Sequence, residues 1–159
     1  MADMPIKYPP PNGKIWDFWV WADIPSAVNP GQVYLRRLRI ISTPWFAVYL
    51  HNINEADTGR HPHDHPWTFY SWVLCGGYWE EVWPTEQHFD LEIPPLQLSH
   101  NRGSIHKMSI ESAHKIMLAT DGLTTIIFAG KRQRKFRFWT PKGKIPWDKM
   151  RPSEVNDVD

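Results

Sequence analysis

From residue 33 onward, apolar and polar positions alternate with a period of two over short runs, the pattern of half-buried strands. The runs are 33–41, 45–52, 67–75, 78–83, 89–93, 102–108, 114–118, 123–129 and 135–139. Between them stand Thr43-Pro44, Gly76-Gly77, Pro94-Pro95, Asp121-Gly122 and Pro141-Lys142-Gly143, residues that turn a chain at hairpins and sheet corners. No segment longer than ten residues keeps a 3.6-residue apolar period, and only 25–27 has room for a single helical turn. Short strands at this spacing predict an all-β domain, a closed barrel or a double-sheet jelly roll.

Upstream of these runs the pattern changes. Residues 1–30 read as an extended arm, with Pro9-Pro10-Pro11, an aromatic knot from Trp16 to Trp21, then Pro25 and Asn29-Pro30-Gly31. The barrel is expected over 31–148, and 149–159 read as a polar tail.

Composition narrows the function classes. The 159 residues suit one domain with its own core. Lys and Arg number 18 against 17 Asp and Glu, a balance with no global pull toward nucleic acid or an anionic membrane. Cys75 is the only cysteine, so an intrachain disulfide is excluded and a reducing compartment is expected. No apolar run approaches the ~20 residues that span a bilayer, and the first residues lack the apolar stretch of a secretory signal. A soluble, cytoplasmic protein is the expectation. Ten tryptophans serve a core of bulky flat side chains, an aromatic pocket or an oligomer interface.

The densest chemical signal is His61-Pro62-His63-Asp64-His65-Pro66-Trp67. In a strand, residues i and i+2 share a face at a spacing of roughly 6.5–7 Å, so His63 and His65 can converge on one ion. Such a clip needs a third ligand from elsewhere in the barrel.

These residues resemble the cupin superfamily. Its first motif is HxH, three or four residues, Glu, six residues and Gly; from His63 and His65 the longer gap ends on Gly77. Its second motif, begun at Gly103, puts Ser109 in the proline position, Glu111 in the second glycine position and His114 in the histidine position. More narrowly, the chain resembles a small cupin group of actinobacteria and their phages. The marks are Thr43 to Phe46, Val48 to His51, the His63 to Trp67 core, Gly76 to Glu81, Gly130 to Arg134, Phe138 to Pro141, and Pro146-Trp147. The resemblance implies a cupin barrel binding one divalent transition metal (Fe, Zn, Ni or Mn) through His63, His65 and His114. It also implies a homodimer and, if phage-encoded, a place in the host cytoplasm.

The motif carboxylate falls at Tyr70, or at Phe69 with the shorter gap, so the expected set is three histidines with open positions on the ion. Three-histidine cupins include the Fe(II) thiol dioxygenases. Tyr70 is the candidate acid, base or orienting hydroxyl, and His61, Trp67, Phe69 and Trp72 are the candidate pocket residues. Glu80 and Glu81 lie beyond Gly77 and are expected to face solvent. His106 is off the motif register, and His51, His88 and His100 are expected to be satisfied or solvated.

A second feature is Lys131-Arg132-Gln133-Arg134-Lys135-Phe136-Arg137, with Arg36, Arg37 and Arg39 as another basic strand. Basic residues among aromatics can bind single-stranded nucleic acid, form a solvated outer face, or lend one arginine to an anionic substrate. The solvated face is the favoured reading, with no nucleic-acid partner and no membrane. Nucleophile elbows, P-loops and dinucleotide fingerprints are missing from the sequence. Three functions follow. The first is a metal-dependent oxygenase or isomerase acting on an unidentified small molecule in the barrel mouth. The second is a non-catalytic ligand-binding or phage accessory protein, and the third a nucleic-acid-associated protein.

Overall fold

The computed structural model describes residues 17–26, 29, 31–57 and 60–150, with only the backbone of Leu118. Its strands, numbered in chain order, form two six-stranded antiparallel sheets. The first runs β1 (Asp17–Pro25), β2 (Val33–Ser42), β3 (Ala47–Ile53), β10 (Leu123–Ala129), β5 (Phe69–Cys75) and β8 (Ile105–Met108). The second runs β12 (Gly143–Pro146), β11 (Arg137–Thr140), β4 (His63–Asp64), β9 (Ala113–Ala119), β6 (Gly77–Trp83) and β7 (Leu96–Asn101). The result is a jelly-roll barrel, as the strand pattern predicts. Among the described residues no helix is long and apolar enough to cross a membrane.

Side-chain alternation decides what faces the interior. In β5, Phe69, Ser71 and Val73 are buried, whereas Tyr70 and Trp72 point out. In β10, Leu123, Thr125, Ile127 and Ala129 take the inner face. Two apolar clusters result. One joins Ile24, Leu35, Ile53, Val73, Tyr78, Ile116 and Leu123; the other joins Ala47, Tyr49, Phe69, Val82, Met108, Ile127 and Ala129. Each fully buried Val or Leu contributes about 2 kcal/mol by leaving water.

The turn between β5 and β6 requires glycine. Gly76 has φ +72°, and a Cβ there would come within 2.5 Å of Thr120 Oγ1. The Gly77 amide donates to the same hydroxyl at 2.9 Å, which ties the turn to the end of β9.

Two expectations need correction. Residues 17–25 belong to no arm: β1 pairs with β2 from Asp17↔Ser42 to Pro25↔Val33, an edge strand of the first sheet. Of the expected arm and tail, residues 1–16, 27, 28, 30 and 151–159 lie outside the described residues. The strand expected at 89–93 is instead the end of a short helix, α1 (Glu86–Asp90). Thr85 caps it by accepting from the His88 amide, and Glu86 sits in the first turn, where a negative charge is favoured. The strand that follows, β7, begins after Pro94-Pro95 at Leu96.

Candidate metal centre

β4 is only two residues long, yet it fixes the site. It lies between β11 and β9, with His63 paired directly with His114 and Asp64 with Ala113. Alternation turns the Asp64 carboxylate away from the two flanking histidines and into the protein. There Asp64, fully buried, accepts from Arg137 Nε at 2.7 Å, the Arg137 amide at 3.0 Å, Arg134 Nη2 at 3.1 Å and Trp139 Nε1 at 3.0 Å. Two arginines of the basic segment are thus engaged in holding β4 rather than displayed on a solvated face.

On the other side of β4, the rings of His63, His65 and His114 gather. Their centroids are 5.2 Å (His63–His65), 4.6 Å (His63–His114) and 5.0 Å (His65–His114) apart. One nitrogen from each lies within 4.8 Å of the others. His65 Nε2 and His114 Nε2 are 2.9 Å apart and face each other.

The orientation of His114 comes from a residue that the sequence reading placed in solvent. Glu80 is 1% exposed, because in β6 it shares the inner face with Tyr78 and Val82. Its Oε2 accepts from His114 Nδ1 at 2.5 Å and its Oε1 from His100 Nε2 at 2.7 Å. With Nδ1 engaged, His114 presents Nε2 to the cavity, the carboxylate–histidine pairing that orients metal-bound imidazoles. His100 and His106 stack with centroids 3.8 Å apart, and the Tyr78 hydroxyl meets His106 Nε2 at 2.9 Å. Glu80, His100 and His106 also bring donor atoms within 4.8 Å of one another, but both Glu80 oxygens already accept imidazole protons. This second group is therefore the outer support of His114.

The electrostatics suit ligation. Burial holds the His63 imidazole down at about 3, opposed by the Asp57 carboxylate and reinforced by the neighbouring His114. Burial, then His114 and His63, hold His65 well below its ordinary value. His114 is the exception: burial lowers it, but the Glu80 carboxylate outweighs burial and raises it. Glu80 is held below the usual carboxylate range, since His114 and His100 overcome the cost of its burial. Neutral imidazoles are the ligating form, and three of them with a charged carboxylate behind one fit a divalent transition ion.

The triad borders a cavity of about 500 Å³ between the sheets, within the size range of small-molecule sites. Trp67 and Phe69, both expected in the pocket, line it. Trp67 stacks on Tyr49 at 5.7 Å, and Phe69 meets His65 edge-on at 4.7 Å. Phe136 adds a third aromatic wall, 5.0 Å from His63.

Three expected site residues do not reach it. Tyr70 is 49% exposed and Trp72 39% exposed on the outer face of β5, one step out of phase with Phe69 and Ser71. The motif position at Tyr70 thus lies outside the barrel, and Tyr70 cannot serve as an acid or base at the triad. His61 is half-buried and does not line the cavity. Asp57 and Arg60, which carry no sequence signal, do line it, as does Tyr34.

No family model matches the sequence, and no curated protein matches it. Solved structures are similar in shape. A cupin 2 conserved barrel domain protein from Rhodopseudomonas palustris aligns with TM-score 0.56 and 13% identity, over 80% of this chain and 82% of that one. The fold is a cupin barrel. The DMSP lyases RdDddP and RnDddQII give TM-score 0.55 and 11% identity over 77% of this chain and 63% of theirs. The FeII form of HppE gives 0.50 and 13% over 69% and 56%.

Proposed function

We propose that this chain is a mononuclear metal-dependent enzyme, binding one divalent transition ion through His63, His65 and His114 and acting on a small molecule in the adjoining cavity. The observation that carries this reading is the facing pair of Nε2 atoms, 2.9 Å apart, with Glu80 fixing one of them from behind. Among the described residues no fourth donor joins the triad, which leaves positions for substrate, as in catalytic rather than closed structural sites. Bound there, an ion would supply Lewis acidity or, as iron, redox chemistry suited to an oxygenase or isomerase. The iron named for HppE makes Fe(II) the first metal to test. The chain's own groups do the rest. Glu80 holds the His114 tautomer, Asp64 fixes the clip from the opposite side, and Trp67, Phe69 and Phe136 keep water away from the cavity wall.

Metal analysis of untagged protein, purified without added metal, tests the reading. It should find about one transition ion per chain. His114→Ala should lose the ion, while His106→Ala and Tyr70→Phe keep it. Loss with His106→Ala and retention with His114→Ala would place the ion in the other histidine group and overturn the assignment. Turnover of a substrate by the loaded protein, lost in His63→Ala while the melting curve holds, separates an enzyme from a binding protein.

A further inference from the structure

The cavity wall is unbalanced in charge. Among the described residues lining it are four arginines, Arg37, Arg39, Arg60 and Arg132, against one carboxylate, Asp57. Three of the four have a polar partner, although the Arg39 Nε is itself buried and unmatched. Arg39 is ion-paired with Asp17, Arg37 donates to His51 Nε2 at 3.0 Å, and Arg132 Nε donates to the Arg134 carbonyl at 3.2 Å.

Arg60 differs from them. It is 8% exposed, its guanidinium lies 4.1 Å over the Tyr34 ring, and its Nη1 is 3.7 Å from Asp57 Oδ1, too far for a hydrogen bond. Asp57 is occupied elsewhere, by the Tyr34 hydroxyl at 2.7 Å and the Ile116 amide at 3.0 Å. The Arg60 Nε and Nη2 are buried and have no hydrogen-bond partner at all. These two N–H groups lie side by side on one edge of the guanidinium, the edge that receives both oxygens of a carboxylate. A buried arginine with this edge unmatched is costly unless something else satisfies it, even with Asp57 near its other nitrogen. Asp57 links this arginine to the triad, since its Oδ2 is 3.9 Å from His63 Nδ1.

We propose that the cavity takes a small organic carboxylate, whose two oxygens are received by the Nε–Nη2 edge of Arg60 while its apolar body lies along the aromatic wall toward the three imidazoles. This names the substrate class of the site proposed above and rests on that reading for the reacting end alone. The edge is covered in its stacked position, so engagement requires the Arg60 side chain to turn within the wall that it shares with Tyr34. A neutral amide of the same shape would set its NH2 against one of the two arginine donors, so the site selects acid over amide.

Calorimetric titration of the full-length protein with phenylacetate and with phenylacetamide, before and after EDTA treatment, tests this. The acid should bind at least about tenfold more tightly than the amide, and Arg60→Gln should remove that preference while leaving amide affinity and metal content unchanged. Arg60→Lys keeps a cation over Tyr34 and beside Asp57, so it preserves the fold if Arg60→Gln does not; it lacks the paired edge and should shrink the preference without removing it. Equal affinity for acid and amide in the wild type overturns the proposal. So does a preference undiminished in Arg60→Gln, or undiminished in Arg60→Lys where Arg60→Gln does not fold, which would put the carboxylate on the ion. An Arg60-dependent preference in protein that binds no metal would sink the metal reading and leave this one standing.

Discussion

Replacing Glu80 with glutamine keeps the side chain's volume and removes its charge at the point where two buried imidazoles depend on it. Glu80 accepts one proton from His100 and one from His114. Glutamine offers one carbonyl oxygen, so one imidazole keeps a weaker, neutral bond and the other faces an NH2. Losing the charge from one bond costs ~1 kcal/mol, and a buried N–H left unmatched costs ~2 kcal/mol, about 3 kcal/mol together. For a domain of this size that lowers the melting temperature by roughly 6–12 °C. His114 also loses the group that fixes its tautomer, which should weaken metal binding by about 10–100-fold. Differential scanning calorimetry in EDTA reads the first effect, and a chelator-competition titration with zinc reads the second. Glu81→Gln, one residue along and off the inner face, is the control and should change neither. A Glu80→Gln protein within about 1 kcal/mol of wild type and with undiminished zinc affinity would refute the reasoning, because no buried carboxylate could then be orienting His114.

Asp64→Asn should destabilise the protein by about 3–5 kcal/mol in urea denaturation, since it strips the buried charge that Arg134 and Arg137 share. A loss under ~1 kcal/mol would mean that β4 is held by other contacts. With metal chelated, stability should fall as pH drops from 7 to 5. His63, held near 3, His106, held near 4, and the depressed His51 and His65 stay neutral in the fold but take up protons when unfolded, below about 6.5. Each histidine that stays neutral in the fold contributes at most ~1.4 kcal/mol per pH unit, and the partly exposed His106 less. His114, raised by Glu80, opposes them: its contribution is full below about 6.5 and fades as pH rises through its folded value. A denaturation midpoint unchanged between pH 7 and 5 would contradict the burial of this group.

Much of the barrel was legible because alternation leaves a trace wherever one face is apolar. The runs around β2, β3, β5, β6, β9 and β10 carry that trace, and their inner positions supply both core clusters. The same rule already contained the error about Tyr70. Phe69, Ser71 and Val73 share one parity, so a residue at 70 must face outward, whatever a motif spacing suggests. It also contained Glu80, which stands between Tyr78 and Val82 in one stripe. A charge there reads as solvent-exposed only if composition is allowed to outrank periodicity. Other features left no such trace. β4 is two residues long, and β7 has only His100 buried, so neither offers a repeat to detect. Asp57 and Arg60 sit outside the strands, where no period links position to direction. The basic segment misleads for a different reason: Asp64, the partner that buries its charges, lies 70 and 73 residues away from Arg134 and Arg137.

That separation bears on how the protein is made. The histidine clip emerges from the ribosome before the groups that pin it: Arg134, the Arg137 amide and the Trp139 indole follow Asp64 by 70 to 75 positions. During synthesis, β4 therefore has neither its β9 neighbour nor its β11 neighbour for most of the time it is exposed. A nascent chain halted before residue 134 carries all three imidazoles yet lacks the frame that sets their directions. On the function proposed above, loading with metal would then follow completion of the barrel rather than the appearance of the ligands.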